Sequence, residues 1–323
     1  MPAPPWLVNL IPTTRCPCRC VFCDIPARPT RELPTEDWRA VLDQLADWLP
    51  RGARVVFAGG EPFARGDLMA LAEHALARGL SVNVATIGFH LAGETLARVR
   101  DLPLDLNVSI HGYRRTHDRL TRSPGLFVRV IEALEALAAG GRAAVHVSTV
   151  LCGTNLGEVV PLARYVQAQP FIRSHYFQAQ VQNLSAPERP GWRADHPAWA
   201  RDPGRAARVL DELIALKAAG ARIANTAAQL AFWKEYFRDP DGIANDMACA
   251  VGGHNLTIMT DGRVQLCDHH PPLGTIRDAP LRTLWEGEEA RALRRAMRDC
   301  RILCNYFINC ARDDRNPARS EAG

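Results

Sequence analysis

Cysteines are the residues of this chain best suited to chemistry, because most of its ten fall into two clusters. In the first cluster Cys16, Cys20 and Cys23 follow a C-x3-C-x2-C spacing, with Cys18 inside it. Three thiolates on one short loop can bind three irons of a four-iron cluster and leave the fourth iron open. A structural zinc site normally uses four ligands in paired spacings. The spacing therefore favours an iron–sulfur cluster with one open coordination position.

The second group of cysteines lies near the other end of the chain and consists of Cys249, Cys267, Cys300, Cys304 and Cys310. An Asp-Gly pair at residues 261–262 predicts a β-hairpin turn that would bring Cys249 and Cys267 together. In a reducing compartment such a cluster indicates metal ligands before disulfides. A structural zinc site that also uses His269 and His270 is one interpretation of this region.

The elements that must position these cysteines follow from an alternation of strands and helices. Short runs rich in Val, Ile and Leu predict six strands, at residues 7–11, 53–58, 80–86, 104–110, 143–151 and 172–181. Apolar residues three and four apart predict helices at 35–48, 67–77, 91–99, 124–139, 156–166 and 205–218. This order predicts an α/β fold, a partial (β/α)6 TIM-type barrel with a parallel sheet. The first cysteine loop then lies at the C-terminal face of the strands, where such barrels carry their sites.

The chain divides into a barrel and a smaller C-terminal domain. We assign residues 1–240 to the barrel, in which a loop rich in Pro and Trp at 183–204 is either a surface connection or a lid over the barrel mouth. Residues 241–311 form a small cluster-binding domain with a β-hairpin and a helix at 281–298. The polar residues 312–323 are expected to be a flexible tail.

Several ordered motifs on this framework resemble the radical S-adenosylmethionine (SAM) enzymes. They are the C-x3-C-x2-C loop with Phe22 before its last cysteine, FAGGEPF after the second strand, VATIG after the third and NVSIHGY after the fourth. Ile87 and His111 depart from the family pattern, which has asparagine and aspartate there. The resemblance implies that the first cysteine loop holds a 4Fe-4S cluster whose open iron binds SAM. The SAM contacts that it implies are Phe22, Gly59, Gly60, Glu61, Pro62, Thr86, Ser109 and Asn155.

The C-terminal region resembles the twitch or SPASM extension of radical SAM enzymes, which holds auxiliary iron–sulfur clusters. The resemblance lies in its cysteines and in the stretch GTIRDAPLRTLWEG between them. Two fully cysteine-ligated four-iron clusters would take eight thiolates, whereas seven cysteines remain once the SAM cluster is bound. We therefore expect one auxiliary cluster of the 4Fe-4S type on four of the five C-terminal cysteines. Cys249 and Cys267 are two of these ligands. The other two come from Cys300, Cys304 and Cys310, of which Cys304 departs most from the family spacing.

The resemblance also implies a radical reaction. The reduced cluster cleaves SAM to methionine and a 5′-deoxyadenosyl radical, which removes a hydrogen atom from a C–H bond that the barrel orients. Cys152, at the end of the fifth strand, is a candidate hydrogen donor to the substrate radical. Tyr176, Gln178 and Gln180 share one face of the sixth strand and are candidate substrate contacts, as is His111.

The expected substrate is a small molecule, a sugar, aminocyclitol or nucleoside-type intermediate of natural-product biosynthesis, with dehydrogenation or epimerisation as the outcome. The alternative is a maturase that modifies a ribosomal peptide. Such enzymes often carry an N-terminal peptide-binding domain, and a first strand that begins at residue 7 leaves no room for one. A non-catalytic, zinc-stabilised binding protein is a further alternative.

Composition adds the expected partners and location. The 323 residues are 47% apolar and 23% charged, and their net charge of +4 is spread along the chain, which does not indicate nucleic acid or an anionic membrane as a partner. No apolar run is long enough for a membrane span or a signal peptide, so we expect a cytoplasmic protein. An electron donor such as flavodoxin or ferredoxin is the implied protein partner.

Overall fold

A parallel sheet forms the centre of the computed structural model, which describes residues 2–182, 191–243, 249–300 and 302. Its six barrel strands are β1 Leu7–Thr13, β2 Arg54–Gly59, β3 Ser81–Thr86, β4 Asp105–Ser109, β5 Ala144–Leu151 and β6 Ile172–Ala179. They lie in the order β6-β5-β4-β3-β2-β1, and each neighbouring pair is parallel. The predicted α/β partial barrel is therefore confirmed.

Helices cover the outside of this sheet. They are α1 Thr35–Trp48, α2 Leu68–Ala77, α3 Gly93–Asp101, α4 Arg114–Thr121, α5 Leu126–Ala138, α6 Leu156–Ala168, α7 Trp192–Asp195, α8 Pro203–Ala218, α9 Ala227–Arg238, α10 Leu281–Glu286 and α11 Glu288–Arg298. Side chains of alternating strand positions pack under them. In β3, for example, Val82 and Val84 are fully buried, while Asn83 lines the barrel lumen. The period of two thus separates an apolar outer face from a polar inner one.

The C-terminal hairpin belongs to the same sheet as the barrel. Its strands are β7 Asn255–Ile258 and β8 Arg263–Gln265, which pair antiparallel as predicted, followed by the short β9 Gly274–Thr275. Strand β7 pairs in parallel with the outer edge of β1, from Leu7 opposite Asn255 to Leu10 opposite Ile258. The result is one sheet of nine strands that carries both groups of cysteines.

The first residues of the described chain fasten the C-terminal region to the barrel. The ring of Trp6 stacks on His254 at a centroid distance of 4.5 Å. The indole N–H of Trp285 in α10 donates to the carbonyl of Ala3 at 3.1 Å. These contacts hold His254 and α10 against the residues that lead into β1.

Four helical features differ from the sequence-based expectation. The predicted helix 281–298 is two helices, because Gly287 adopts an extended conformation that interrupts the hydrogen-bond ladder. Helices α4 and α9 lie outside the predicted helices, and so does the short α7, which forms within the predicted loop 183–204. In α9 Trp233 and Tyr236 are fully buried and complete a second core with α8. Among the described residues, no helix is both long and apolar enough to cross a bilayer.

The predicted loop 183–204 is described only in part. Residues 183–190 lie outside the described residues, as does the expected tail 312–323. The part that is described contains α7, and Trp199 packs there against Tyr236 of α9 and beside Arg193. The backbone N–H of Gly153, after β5, donates to the carbonyl of Ala198 at 2.8 Å. The described part of the loop, residues 191–204, therefore contacts the C-terminal end of β5.

Candidate functional site

The loop after β1 carries the first three cysteines at the C-terminal end of the barrel. Cys16, Cys20 and Cys23 are each half-buried. The thiol of Cys16 is hydrogen-bonded to that of Cys18. Across the described ranges, no three His, Cys, Asp or Glu side chains are grouped as a bound metal ion requires. Binding iron at all three cysteines therefore requires Cys16 to exchange its bond to Cys18 for a bond to metal.

The chemistry of these thiols fits an iron–sulfur cluster. Burial, reinforced by the negative charges of Cys23 and Cys16, raises the pKa of Cys20 to about 12. The three thiols thus lie close enough to oppose one another's ionisation. Iron ligation requires thiolates, and the positive charge of bound iron would offset this penalty.

Two glycines at the end of β2, Gly59 and Gly60, let the next loop pass directly beside the cysteine loop. The backbone N–H of Gly60 donates to the carbonyl of Thr13 at 2.9 Å, and that of Glu61 donates to the carbonyl of Arg15 at 2.8 Å. A Cβ atom on Gly60 would lie 2.7 Å from the Thr14 carbonyl oxygen and closer still to that of Arg15. Only a residue without a side chain permits this approach.

Glu61 ties the ends of β2 and β3 together. Its fully buried carboxylate accepts hydrogen bonds from the Thr86 hydroxyl on both oxygens at 2.9 Å, and from the backbone N–H groups of Ile87 and Phe63 at 2.8 and 3.1 Å. Burial raises the pKa of Glu61 to about 7, although these bonds oppose the shift. Two predicted SAM contacts, Glu61 and Thr86, therefore engage each other, while Pro62 is buried beside them.

Asn155 makes the equivalent link between the ends of β4 and β5. Its side-chain amide donates to the carbonyls of His111 and Val150, both at 2.7 Å, and its carbonyl oxygen accepts from the backbone N–H of Cys152 at 2.9 Å. Ser109, the other predicted SAM contact here, lies 3.3 Å from Ser148 across the same strand pair. The side chain of Asn155 is thus fully used in holding the barrel rim.

His111 lies in a buried aromatic cluster. Its ring lies 4.9 Å from that of Phe22 in an edge contact and 5.7 Å from that of His117. The backbone N–H of Val150 donates to its Nδ1 at 3.2 Å. Burial lowers the pKa of His111 to about 3, so the ring is neutral. The structure thus places this predicted substrate contact behind Phe22, where it supports the cysteine loop.

Cys152 occupies a small apolar cluster rather than a cavity wall. Its side chain is fully buried against Leu120 and Ala198, next to Val21 and Phe22. Burial raises the pKa of this thiol to about 11. Cys152 lines neither of the two cavities described below. This position supports a packing role and gives no support to the predicted hydrogen donor.

Two adjoining cavities run through the barrel. The upper cavity, about 560 Å³, lies at the C-terminal ends of the strands and is lined by Phe22, Cys23 and Gly59. The lower cavity, about 510 Å³, occupies the lumen beneath it. Both include Asn9 and Gln178 in their walls. A molecule in the lower cavity would therefore lie directly beside one bound at the cysteine loop.

Three of the five C-terminal cysteines line the lower cavity. They are Cys249, Cys267 and Cys300, whereas Cys304 and Cys310 lie outside the described residues. His269 and His270 line the same cavity. The fold therefore places three auxiliary cysteines at the lower cavity and Cys23 of the first cysteine loop at the adjoining upper one.

Polar side chains from the barrel strands line the lower cavity. They are Asn9, Arg54, Asn83, Asp105, Asn107, His146, Ser174, Tyr176 and Gln178. The amide of Asn9 donates to Asn255 at 2.8 Å, and the ring of His146 bonds to Ser174 at 2.7 Å. Asn107 Oδ1 is buried and has no hydrogen-bond partner in the described part of the chain. Of the predicted substrate contacts, Tyr176 and Gln178 reach this lumen.

Arg65 is a residue at the site that sequence reasoning missed. It is 7% exposed and forms a bidentate pair with Asp67, at 2.6 and 2.9 Å. Its Nη1 donates to the carbonyls of Pro12 and Leu33, at 3.2 and 2.9 Å. Arg65 therefore fixes the end of β1, from which the cysteine loop departs, to the loop after β2.

Replacing Arg65 with alanine is expected to lower the free energy of unfolding by about 3–5 kcal/mol, because it leaves Asp67 and two carbonyls without their buried partner. The matched control is Arg78→Ala, whose ion pair with Asp47 is exposed and should contribute about 0–1 kcal/mol. Urea unfolding of both variants measures the difference. Equal losses of unfolding free energy in the two variants would show that the hydrogen bonds of Arg65 do not stabilise the loop after β2.

Two family models match this chain. Residues 10–166 match the radical SAM superfamily, and residues 249–311 match the SPASM iron–sulfur cluster-binding domain. The first segment begins within β1 and includes the Cys16 to Cys23 loop and the strands β2 to β5. The second begins at Cys249 and includes the hairpin.

Curated relatives differ in how much of the chain they match. A PqqA peptide cyclase of Bradyrhizobium diazoefficiens is 38% identical over 112 residues, which are 33% of this chain and 29% of that protein. The chain therefore spans less than a third of that cyclase. An AdoMet-dependent heme synthase of Methanosarcina barkeri is 27% identical over 332 aligned residues, covering 95% of this chain and 90% of that protein.

Solved structures share the fold at low sequence identity. Streptococcus suis SuiB bound to S-adenosylmethionine has a TM-score of 0.69 and 15% identity, covering 90% of this chain and 68% of that one. The enzyme anSMEcpe with bound AdoMet and a peptide has a TM-score of 0.71 and 16% identity, covering 92% and 84%. These likenesses support the architecture of barrel and C-terminal extension.

Proposed function

We propose that this radical SAM enzyme, which carries a C-terminal SPASM domain, acts on a peptide by removing a hydrogen atom from it. The two domains imply SAM and 4Fe-4S clusters as cofactors. When bound, the cluster on Cys16, Cys20 and Cys23 supplies the electron that cleaves SAM and so produces the hydrogen-abstracting radical. The remaining task of the chain is to hold SAM and peptide together and to exclude water.

The amide-rich lumen carries this proposal. Asn9, Asn83 and Asn107 come from three different strands and line the space directly below the upper cavity. Amide side chains both donate and accept hydrogen bonds, and peptide groups offer the matching partners. A peptide N–H would satisfy Asn107 Oδ1, which is otherwise buried without a partner among the described residues. A cavity of about 510 Å³ admits a short segment, so we expect recognition of a few residues.

The comparisons favour a peptide over the small molecule that the sequence alone suggested. Two PqqA peptide cyclases are 38% and 39% identical to this chain over 112 and 116 residues. Among fold neighbours, SuiB has been crystallised with precursor peptide SuiA, and anSMEcpe with peptides. The peptide maturase, stated above as the alternative, is therefore our proposal, and the sugar, aminocyclitol or nucleoside substrate is withdrawn.

Net oxidation is the outcome that we propose for the peptide. Epimerisation would need a thiol that returns a hydrogen atom, and Cys152 lines neither cavity. Cys249, Cys267 and Cys300, by contrast, lie on the wall of the lower cavity. A cluster bound there would supply an electron acceptor next to the substrate. Removal of one hydrogen atom, one electron and one proton leaves the peptide two hydrogens lighter.

A second candidate substrate is an iron porphyrin. Two matches favour it. The match to the AdoMet-dependent heme synthase of Methanosarcina barkeri covers nearly the whole of both chains, and an Fe-coproporphyrin III synthase of the same organism is 33% identical over 127 residues. The amides of Asn83 and Asn107 in the lumen argue against it, because the apolar face of a macrocycle lying on them would leave them without hydrogen-bond partners.

The test is an anaerobic reaction of reconstituted enzyme with SAM, a reductant and a pool of short peptides, in parallel with iron coproporphyrin III. Mass spectrometry should find a peptide that has lost two hydrogens, formed together with 5′-deoxyadenosine. Asn107→Leu should lower kcat/KM for that peptide about tenfold through loss of one buried hydrogen bond. Gln167→Leu, which removes an amide on the outside of the barrel, is the matched control.

Other outcomes would each replace the proposal. A changed porphyrin together with unchanged peptides would establish the second candidate. When the reaction is run in deuterium oxide, a peptide that exchanges one hydrogen for one deuterium without losing two hydrogens would indicate epimerisation instead of oxidation. Zinc without sulfide, and no deoxyadenosine, would identify the non-catalytic binding protein.

A further inference from the structure

Helix α4 carries a stripe of exposed arginines, which consists of Arg115, Arg119 and Arg122. Arg115 and Arg119 are one turn apart on the same side of the helix, and Arg122 is its C-terminal cap. Residues 114–122 contain four arginines and one aspartate, and their net charge of +3 is most of the chain's +4. The positive charge is therefore more concentrated in space than the composition of the whole chain suggests.

The arginine stripe is not neutralised by ion pairs. None of its three guanidinium groups forms a salt bridge with an acidic side chain in the described part of the chain. The carboxylates beside α4 are engaged elsewhere. Asp118 accepts two backbone N–H groups at the start of α5, at 2.6 and 2.9 Å. Glu158 accepts the backbone N–H of Tyr113 and the hydroxyl of Thr116, both at 2.7 Å. The stripe is thus left to attract an anionic partner.

The first cysteine loop is bonded directly to this helix. The backbone N–H groups of Arg19 and Val21 donate to carbonyls in the last turn of α4, at 3.1 and 2.9 Å. The guanidinium of Arg19 is also exposed and donates to the carbonyls of Cys16 and Cys18 at 2.6 and 2.9 Å. On its other side the loop lines the upper cavity, as does Gln180, whereas the arginine stripe lines neither cavity. The stripe therefore adjoins the cysteine loop from outside the substrate space.

Reductive cleavage of SAM needs one electron, which has to reach the cysteine loop from another molecule. SAM and substrate occupy the cavity side of the loop, so an electron donor has to approach from the side of α4. We infer that the arginine stripe is the docking surface for an acidic electron-donor protein of the flavodoxin or ferredoxin class. The reduced donor loses one electron, and the cluster on the cysteine loop gains it.

Opposite charges speed the encounter of two proteins and select the orientation in which they dock. Carboxylates of the donor on Arg115, Arg119 and Arg122 would hold its redox group next to the cysteine loop. The inference rests on the radical SAM chemistry of the chain and does not depend on the peptide substrate.

The experiment compares a protein and a small molecule as the source of the electron. Reconstituted anaerobic holoenzyme receives either an acidic flavodoxin kept reduced by its reductase or photoreduced deazariboflavin, which is small and uncharged. The triple variant Arg115→Glu, Arg119→Glu, Arg122→Glu should form 5′-deoxyadenosine about tenfold or more slowly with flavodoxin at 0.1 M salt. Its rate with deazariboflavin should equal that of the wild type. Calorimetric titration should show a matching rise in the dissociation constant for flavodoxin.

Salt gives an independent measure of the same contact. Raising the salt from 0.1 to 1 M shortens the Debye length from about 10 to about 3 Å. The wild type should then bind flavodoxin as weakly as the variant does. Tight binding by the wild type at 1 M salt would contradict docking through this stripe.

Helix α11 offers a matched control, because Arg291, Arg295 and Arg298 repeat the spacing of the stripe and are exposed. They lead into Cys300, at the other group of cysteines. Their triple replacement by glutamate should change flavodoxin binding less than twofold, and iron content confirms that each variant holds its clusters. Equal losses in the two triple variants would overturn the inference, and so would unchanged flavodoxin binding in the α4 variant.

Two further outcomes would also overturn it. Loss of activity with both electron sources would show that the α4 substitutions damage the cysteine loop itself. A raised KM for the peptide with unchanged flavodoxin binding would assign the stripe to an acidic segment of the substrate. Neither flavodoxin binding nor 5′-deoxyadenosine formation requires the peptide, so failure of the proposed function is distinguishable from failure of this inference.

Discussion

Replacing any one of Cys16, Cys20 or Cys23 with alanine is expected to abolish reductant-dependent formation of 5′-deoxyadenosine. Each thiolate holds one iron of the cluster, and the site depends on leaving a single iron open for SAM. With only two thiolates the cluster loses both its anchorage and its defined open position. Chromatography of 5′-deoxyadenosine after anaerobic reconstitution measures the effect, with iron and sulfide analysis alongside.

Cys18 offers a matched control, because it is a cysteine on the same loop. Its side chain is buried and hydrogen-bonded to Cys16, which places it in the packing of the loop. Cys18→Ala should therefore keep most of the cleavage activity. Replacement of Cys249 and Cys267, at the far cavity wall, should also spare more of it than loss of the first three. If Cys18→Ala were as inactive as Cys16→Ala, the ligand assignment would be wrong.

The second large effect is expected from one added methyl group. Gly60→Ala should reduce SAM cleavage at least about 100-fold, because its Cβ would overlap the carbonyls of Thr14 and Arg15, which lead into Cys16. Both contacts are with backbone, which cannot move aside as a flexible side chain can. The displaced loop would carry the cluster away from the SAM position. Rates of 5′-deoxyadenosine formation at saturating SAM give the comparison.

Gly66 is the matched control for this substitution. It lies six residues further along the same connection, and no atom lies within 4 Å of a Cβ placed on it. Gly66→Ala should leave the rate and the stability nearly unchanged. A Gly60→Ala enzyme that kept half of the wild-type rate would contradict the argument that the two loops require this close approach.

The strand core could be predicted from sequence because the barrel strands are short runs whose buried face is mostly Val, Leu and Phe, as with Val55 and Phe57 in β2. Helix α4 could not, because RRTHDRLT contains little apolar periodicity. Tertiary contacts stabilise this helix: its own side chains Leu120 and His117 are buried against the barrel, and its Asp118 accepts the backbone N–H of Phe127 at the start of α5. Local pattern carries no information about such partners.

The sequence predicted those residues of the candidate site that belong to a short motif. It could not predict residues whose role depends on contacts with neighbours distant in sequence. Spacing alone located the Cys16 to Cys23 loop and the glycines after β2. It could not show that Glu61 would be engaged by Thr86, or that Arg65 would hold the end of β1. Nor could it show that Asn83 and Asn107 face a lumen, because alternation identifies two faces without saying which is inside.

The parallel pairing of β1 with β7 has a consequence for synthesis of the protein. Strand β1 is synthesised first, and its partner β7 lies about 250 residues later in the chain. At about 5–20 residues per second, translation of that interval takes roughly 12–50 s. During that time the outer edge of β1 exposes unpaired backbone groups to other chains. The nascent barrel is therefore an aggregation hazard, and slowing elongation through residues 60–250 should lower the yield of monomer more than slowing it after residue 258.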